Sequence, residues 1–396
     1  MKTQLIKSAY LITMSDELGD IENGALFIQD GVIKNIGHVD EITEVADEVI
    51  DMSNHAIYPG LVNTHHHFYQ TLTRAIPSAQ NSGLFEWLKT LYPIWGRMTP
   101  DDIHTSTQTA LAELVLTGCT TTADHLYIFP NGCKLDDEIY AGKEMGLRLH
   151  LSRGSMSLGV SQGGLPPDDL TEKENDIIED TIRVIEKHHD SKLGSKLRIV
   201  VAPCSPFSVT KSLLKESAKL AEVYNVQLHT HLAETQDENE FYLSKFNCRP
   251  VDYMDEVGWL NNKAWFAHAV FIDQKEMQQF SVNRCGVAHC PSSNMRLSSG
   301  VSPIREMLHM SVPVGLGVDG SASNDSSNML AEVRQSFLLA RLATAPKSSA
   351  DAPQQIELFG AREALKLATR GGAEVLGRDV LALWKLGNTL TFFPWI

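Results

Sequence analysis

The stretch LRIVVAPCSPFSVTKSLLKESAKLAEVYNVQLHTHL (residues 197–232) decides the fold. It opens on a β-branched apolar run, LRIVVAP (197–203), passes through the helical pattern KSLLKESAKLAEVY (211–224), and closes on a second run, VQLHTHL (226–232). Two short apolar runs joined by a helix make a βαβ unit, whose strands lie parallel. Outward from it the pattern repeats. Upstream stand LVNTH (61–65), TTTADH (120–125) and LRLHLS (147–152); downstream stand AWFAHAV (264–270), GVAHC (286–290) and VPVGLGVD (312–319). Eight such units over one domain predict an α/β fold, a (β/α)8 TIM barrel spanning 59–372.

Residues 1–58 have a different texture. GALFIQDGVIKNIG (24–37) is two apolar runs around Asp30-Gly31, a hairpin signal, and EVIDMSNHAIYPG (48–60) adds a further strand. This predicts the N-terminal part of a composite β-sandwich domain. Residues 373–396, ending LALWKLGNTLTFFPWI, read as an aberrant or truncated return segment that would leave this sheet with an unpaired edge.

The composition is that of a soluble globular protein, with 43% hydrophobic and 21% charged residues over 396 positions. No apolar run is long enough for a membrane span, and the N-terminus lacks a signal-peptide pattern. A net charge of −15 argues against nucleic acid as a partner, since it would repel the phosphates. Six scattered cysteines without a paired spacing suit reduced thiols, which together with the rest predicts a cytoplasmic protein.

In a parallel barrel the reacting groups gather at the carboxyl ends of the strands. His65 and His67 stand two apart after the first barrel strand; His231, His268 and Asp319 end the fifth, sixth and eighth. Imidazoles with one carboxylate are a donor set that zinc accepts while leaving room for water. His66 is expected to face away from such a centre, His125 to be substrate contact or structure, and His289-Cys290 to be structural. His188-His189 reads as solvated surface.

The segments PGLVNTHHH (59–67), HTHLAE (229–234), AHAV (267–270) and GVDGSASND (317–325) resemble the amidohydrolase superfamily, in its cytosine deaminase, guanine deaminase and triazine chlorohydrolase branch. The resemblance implies that His65, His67, His231 and Asp319 hold the metal, with Glu234, His268 and Asp319 as the catalytic groups. Binuclear relatives carry a lysine at the end of the fourth strand. RIVVAPCSPF (198–207) has none, so one Zn2+ per subunit is expected, with Fe2+ as the second candidate. Hydroxide generated at the ion, whose bound water has a pKa near 7 instead of 15.7, would attack the amino-bearing ring carbon.

Substrate choice is read from four positions. Gln70 matches a glutamine with which guanine deaminases address the purine edge. Trp95, in YPIWGR (92–97), stands where nucleoside-acting relatives carry a glutamate, which favours a free base. Phe68 and Tyr69 are further candidates for stacking. Guanine deaminases also carry an arginine just before the phenylalanine at 207, and this chain has none. HLSRGSMSLGVSQGGLPPDD (150–169) and DHLYIFPNG (124–132) resemble the bacterial 8-oxoguanine deaminases, and Arg153 is expected to donate to a ring carbonyl. Cys204, as thiolate or sulfur acceptor, or a nearby carbonyl would receive the N7–H that distinguishes oxidised guanine. The expected reaction is 8-oxoguanine to uric acid and ammonia. Guanine deamination, hydrolysis of an s-triazine, and a barrel that has lost catalysis and serves as a scaffold are the rivals. The family's habit implies a homo-oligomer.

Overall fold

The computed structural model describes residues 1–343, 358–378, 381, 382, 384 and 392–395. Five strands precede the barrel: β1 (Thr3–Ile12), β2 (Asp20–Glu22), β3 (Gly24–Gln29), β4 (Val32–His38) and β5 (Glu48–Pro59). β3 and β4 pair antiparallel across Asp30 (φ +50°) and Gly31 (φ +79°). Two successive positive φ values belong to the type I′ turn that Asp-Gly favours. β1 lies between β3, antiparallel to it, and β5, parallel to it.

The next eight strands are β6 (Leu61–Asn63), β7 (Cys119–Leu126), β8 (Arg148–Ser155), β9 (Leu197–Pro203), β10 (Gln227–Leu232), β11 (Ala264–His268), β12 (Gly286–His289) and β13 (Val314–Leu316). They pair in sequence order and close into a barrel, β13 against β6. The eight apolar runs of the sequence are these strands. Their period of two sends Val62, Ala123, Val200, Ala202, Trp265 and Ala288 into one buried cluster. Leu149, Leu151, Ile199 and Val201 face outward into the cluster shared with the helices. Helix termini are built from local chemistry. The Thr210 hydroxyl accepts from Leu213 N at the start of Lys211–Tyr224, and Asn225, at φ +53°, ends that helix and returns the chain to β10.

One expectation fails here. The terminal segment, expected to leave this sheet with an unpaired edge, supplies β14 (Phe392–Trp395), which pairs antiparallel with β5. Ladder pairing uses main-chain groups, so an unfamiliar sequence can still supply a strand. Residues 379, 380, 383, 385–391 and 396 of that terminal stretch lie outside the described residues. The sheet meets the barrel through exposed pairs, Asp16 with Lys366 and Arg370, and Asp20 with Arg362. Among the described residues no helix is long and apolar enough to cross a membrane. All six cysteines are free thiols.

Candidate active site

The strand ends deliver their polar side chains to one enclosed place. His65 and His67 follow β6, His231 lies in β10, His268 ends β11 and Asp319 follows β13, and all but His231 are at most 5% exposed. His67 Nε2 lies 3.1 Å from His231 Nε2 and 3.2 Å from Asp319 Oδ1, while His65 Nε2 lies 3.3 Å from the same oxygen.

The far side of each imidazole fixes its tautomer. His67 Nδ1–H donates to His125 O (2.7 Å) and His231 Nδ1–H to Cys204 O (2.5 Å). His65 Nδ1–H donates to His229 Nε2 (2.8 Å), because His229 spends its own Nδ1–H on Trp265 O (3.0 Å). Three Nε2 lone pairs therefore point at one another and at a carboxylate oxygen, an arrangement that repels unless a cation sits between them. Two nitrogen ligands about 2.1 Å from a shared tetrahedral ion stand roughly 3.4 Å apart, close to the separations found here. The donor set fits a divalent zinc-like ion, and His65, His67, His231 and Asp319 are the residues that could hold it. His65 and His67 also cluster with His125. His125 donates its Nε2–H to Ala202 O (2.8 Å), leaving a buried Nδ1 without a partner.

The acid–base groups face the same space. His268 donates Nδ1–H to Asn294 Oδ1 (2.9 Å), which turns Nε2 toward Glu234 Oε2 (3.5 Å) and Asp319 Oδ2 (3.9 Å). Burial opposes protonation of His268, but the two carboxylates outweigh it and raise its pKa. Burial raises Glu234 above the ordinary carboxyl range, with Asp319 adding to the rise and His268 opposing it. Burial would raise Asp319 too, yet the hydrogen bond and charge of His65, with His67 and His268, hold it well below. Its Oδ2 also accepts from Ser293 Oγ (2.6 Å) and Ser323 Oγ (3.2 Å). Two neighbouring carboxylates pushed in opposite directions are the signature of divided acid and base roles.

Beside this constellation lies a cavity that opens to solvent. Leu84, Trp87, Leu88, Phe207 and Leu297 form its apolar wall, and Gln70, Tyr127, Cys204 and Ser205 offer polar atoms. Gln70 is 1% exposed and its Oε1 has no partner. A Cβ on Gly320 would stand 1.9 Å from that oxygen, so glycine is what lets the carboxamide occupy its place beside Asp319. Burial pushes the Cys204 thiol up to about 12, which rules out the expected thiolate and leaves a neutral sulfur. The Cys204 carbonyl already accepts from His231 Nδ1 and Thr230 Oγ1, so it is not free for a substrate.

Two expected substrate contacts stand outside the cavity. Arg153 lies on the outward parity of β8 with Leu149 and Leu151. Its guanidinium is held by Glu172 (2.7 and 2.9 Å) and Asp180 (2.8 Å) and lies 3.9 Å from the centre of the Phe129 ring. Trp95 is fully buried, donates Nε1–H to Thr73 Oγ1 (3.0 Å) and packs on Tyr69 and Trp87. Phe68 and Tyr69 are buried in the core rather than in the cavity wall. His66 faces away as expected, toward Ser327 Oγ (2.8 Å). The buried His289 ring has no partner, and His188 is not solvated: its Nε2 lies 3.1 Å from Asp136. The reading of the sequence missed His229, Trp87, Tyr127 and Phe207. The alternation His229-Thr230-His231 carried the signal for the first, and the helical spacing Leu84-Trp87-Leu88 for the second.

An 8-oxoguanine deaminase of Pseudomonas aeruginosa is 47% identical over 359 residues, covering 90% of this chain and 78% of that one. A hydroxydechloroatrazine ethylaminohydrolase of a Pseudomonas species is 32% identical over 408 residues, covering 99% of this chain and 83% of that one. Among solved structures, an atrazine chlorohydrolase of Arthrobacter aurescens complexed with zinc superimposes with a TM-score of 0.91 at 30% identity, covering 99% of this chain and 87% of that one. The family model described as the Amidohydrolase family matches residues 56–382, most of the chain, and this protein belongs to that family.

Proposed function

We propose that the chain is a deaminase with one zinc ion per subunit that converts 8-oxoguanine and water into uric acid and ammonia. The observation that carries this reading is the meeting of three imidazole Nε2 atoms and Asp319 at the edge of a cavity that Glu234 and His268 also line. The 47% identity to an 8-oxoguanine deaminase supports the choice of ring, and the family supports hydrolysis of a C–N bond in a cyclic amidine.

Zinc, when bound, lowers the pKa of water to about 7 and so supplies a nucleophile at neutral pH. The chain's own residues do the rest. Asp319 Oδ2 and His268 Nε2, 3.9 Å apart, accept the proton that the attacking water loses. Glu234, its pKa raised by burial, carries a proton to the ring nitrogen next to the attacked carbon and then to the departing amine. His268 Nε2, 3.5 Å from Glu234 Oε2, links the two carboxylates. Trp87, Leu88 and Phe207 exclude water around a planar ring. Gln70 and Cys204 read the edge of the base: the carboxamide both donates and accepts, and the neutral sulfur faces the N7–H that guanine lacks.

Ammonia release by the zinc-loaded protein tests the proposal on 8-oxoguanine, guanine and a hydroxylated aminotriazine. The expected result is a kcat/KM for 8-oxoguanine at least ~10-fold above either competitor, since one mispaired polar edge costs about 1–3 kcal/mol. Chelation should abolish all turnover. A preference for guanine or the triazine overturns the substrate, and turnover that survives chelation overturns the metal.

A further inference from the structure

The end of the barrel opposite the site holds a second cluster of ionisable groups, three guanidinium groups and an imidazole, with Arg378 and His150 buried and Arg148 and Arg198 half-buried. Arg148 and His150 share the inward parity at the start of β8, and Arg198 on β9 is the register partner of His150. Arg378 closes this floor from below. It is 1% exposed and donates Nε–H to His150 Nε2 (2.7 Å) and Nη1 to Ser195 O and Oγ (both 2.9 Å). Arg198 in turn donates Nη1 to Gly377 O (3.0 Å) and Nη2 to Ser191 O (3.5 Å).

These bonds leave three buried guanidinium donors unused: Arg148 Nε, Arg198 Nε and Arg378 Nη2. His150 accepts at Nε2, so its proton is on Nδ1 and that atom too is a donor. That proton meets the Gln227 side chain, whose Nε2 is spent on Val375 O (3.2 Å) and whose oxygen is therefore the atom facing the ring. No carboxylate among the described residues forms an ion pair with any of the three guanidinium groups. Asp190 acts on Arg198 and Arg378 only through its charge, and its Oδ1 accepts from Lys192 N (3.0 Å). Burial, then the charges of Arg198 and Arg148, drag the Arg378 guanidinium down to about 9.

A chain of net charge −15 has no shortage of carboxylates to set beside three arginines, yet none among the described residues forms an ion pair with them. A buried cation without an ion-pair partner, such as Arg378, is costly, and unpaired buried donors add to that. We infer that the barrel floor is a binding site for a small tetrahedral oxyanion of the phosphate class, held by Arg148, Arg198 and Arg378, with His150 positioning Arg378. Guanidinium forks suit such an oxyanion better than a point charge does. The half-buried side chain of Arg198 gives the ion a way in from solvent. Its role is structural, tying the segment that plugs the barrel, Gly372–Arg378, to β8 and β9.

The test is thermal unfolding of the zinc-loaded full chain, titrated with inorganic phosphate against sodium chloride at matched ionic strength, with equilibrium dialysis for stoichiometry. Expected are a saturable rise of roughly 3 °C in phosphate and one phosphate bound per chain. Both should be lost in Arg198→Gln and Arg378→Met, with ammonia release by Arg198→Gln unchanged. If Arg378→Met fails to fold, Arg198→Gln alone decides. Equal responses to phosphate and chloride overturn the inference. So does a phosphate response that survives in Arg198→Gln, because the ion then sits elsewhere, for instance at the barrel mouth. The readout is stability rather than turnover, so the site stands or falls apart from the deaminase reading.

Discussion

The barrel mouth and the N-terminal sheet treat charge and backbone strain in opposite ways. In the sheet, positive φ falls at Asn23 and Asp30, residue types that tolerate it. Met14 is the exception, and it lies where Arg370 bonds its carbonyl from the barrel. At the mouth, Ala233 (φ +52°), His268 (φ +74°), Ala269 (φ +45°) and Asp319 (φ +61°) all take that conformation. Each costs of order 1–3 kcal/mol, which persists only where the surroundings over-determine it. Ion pairs divide the same way. At the mouth Glu234, His268 and Asp319 are buried and shift one another's pKa, whereas Asp16 in the sheet region is 64% exposed beside two flexible cations. Substitutions at the mouth should therefore register in turnover, and those in the sheet in small changes of stability.

Glu234→Gln gives the largest expected effect. The amide keeps the shape but cannot carry a proton between the ring and the leaving group, so kcat should fall by ~10²-fold or more while zinc content and Tm stay put. Metal analysis and ammonia release measure both. Near-normal kcat would remove Glu234 from the mechanism and make its burial merely structural.

Glu238→Gln probes the strain itself. Buried at the start of the helix Gln236–Phe246, Glu238 accepts Ala233 N at Oε1 (3.0 Å) and Glu234 N at Oε2 (2.8 Å), pinning the left-handed turn that aims Glu234. Glutamine would replace one acceptor with a donor and set N–H against N–H. A loss of roughly 10-fold in kcat with unchanged zinc content is expected. If kcat holds, the turn is fixed by other contacts, such as Val270 N and Phe271 N on Ala233 O (both 2.9 Å).

Glu238 also marks the limit of what the sequence told. Barrel strands and strand-end histidines were legible because both rest on short-range rules: alternation within a strand, and a donor set every metal needs. Partners were not. His229 supports His65 across 164 positions of sequence, and Ser293 and Asn294 reach Asp319 and His268 across 26 each. Only barrel closure brings those pairs together. Arg153 is the instructive miss. Counting by two from Leu149 and Leu151 assigns it to the outer face, toward Asp180 on Glu174–His188, but proximity to the strand end overrode parity in the reading. The terminal strand escaped for another reason, since main-chain pairing with β5 leaves almost no side-chain signature.

Asp16→Asn should give the smallest effect, and its pH dependence is what sharpens the contrast. Hydrogen bonds from Lys366 and Arg370 hold the Asp16 carboxyl at about 2, against 3.8 for a free one. A depressed folded-state pKa means that its stabilisation is complete above 3.8 and drains away as pH falls toward 2. Exposure and screening limit the gain to about 0.2–1 kcal/mol, so Asp16→Asn should lower Tm by only ~1 °C at pH 7. The gap should narrow through pH 3, close only as pH falls to about 2, and narrow in high salt. A drop of many degrees, or one indifferent to pH and salt, would mean that the sheet is coupled to the barrel as tightly as the mouth residues are to one another. The division between a strained catalytic mouth and a loosely tethered sheet would then be lost.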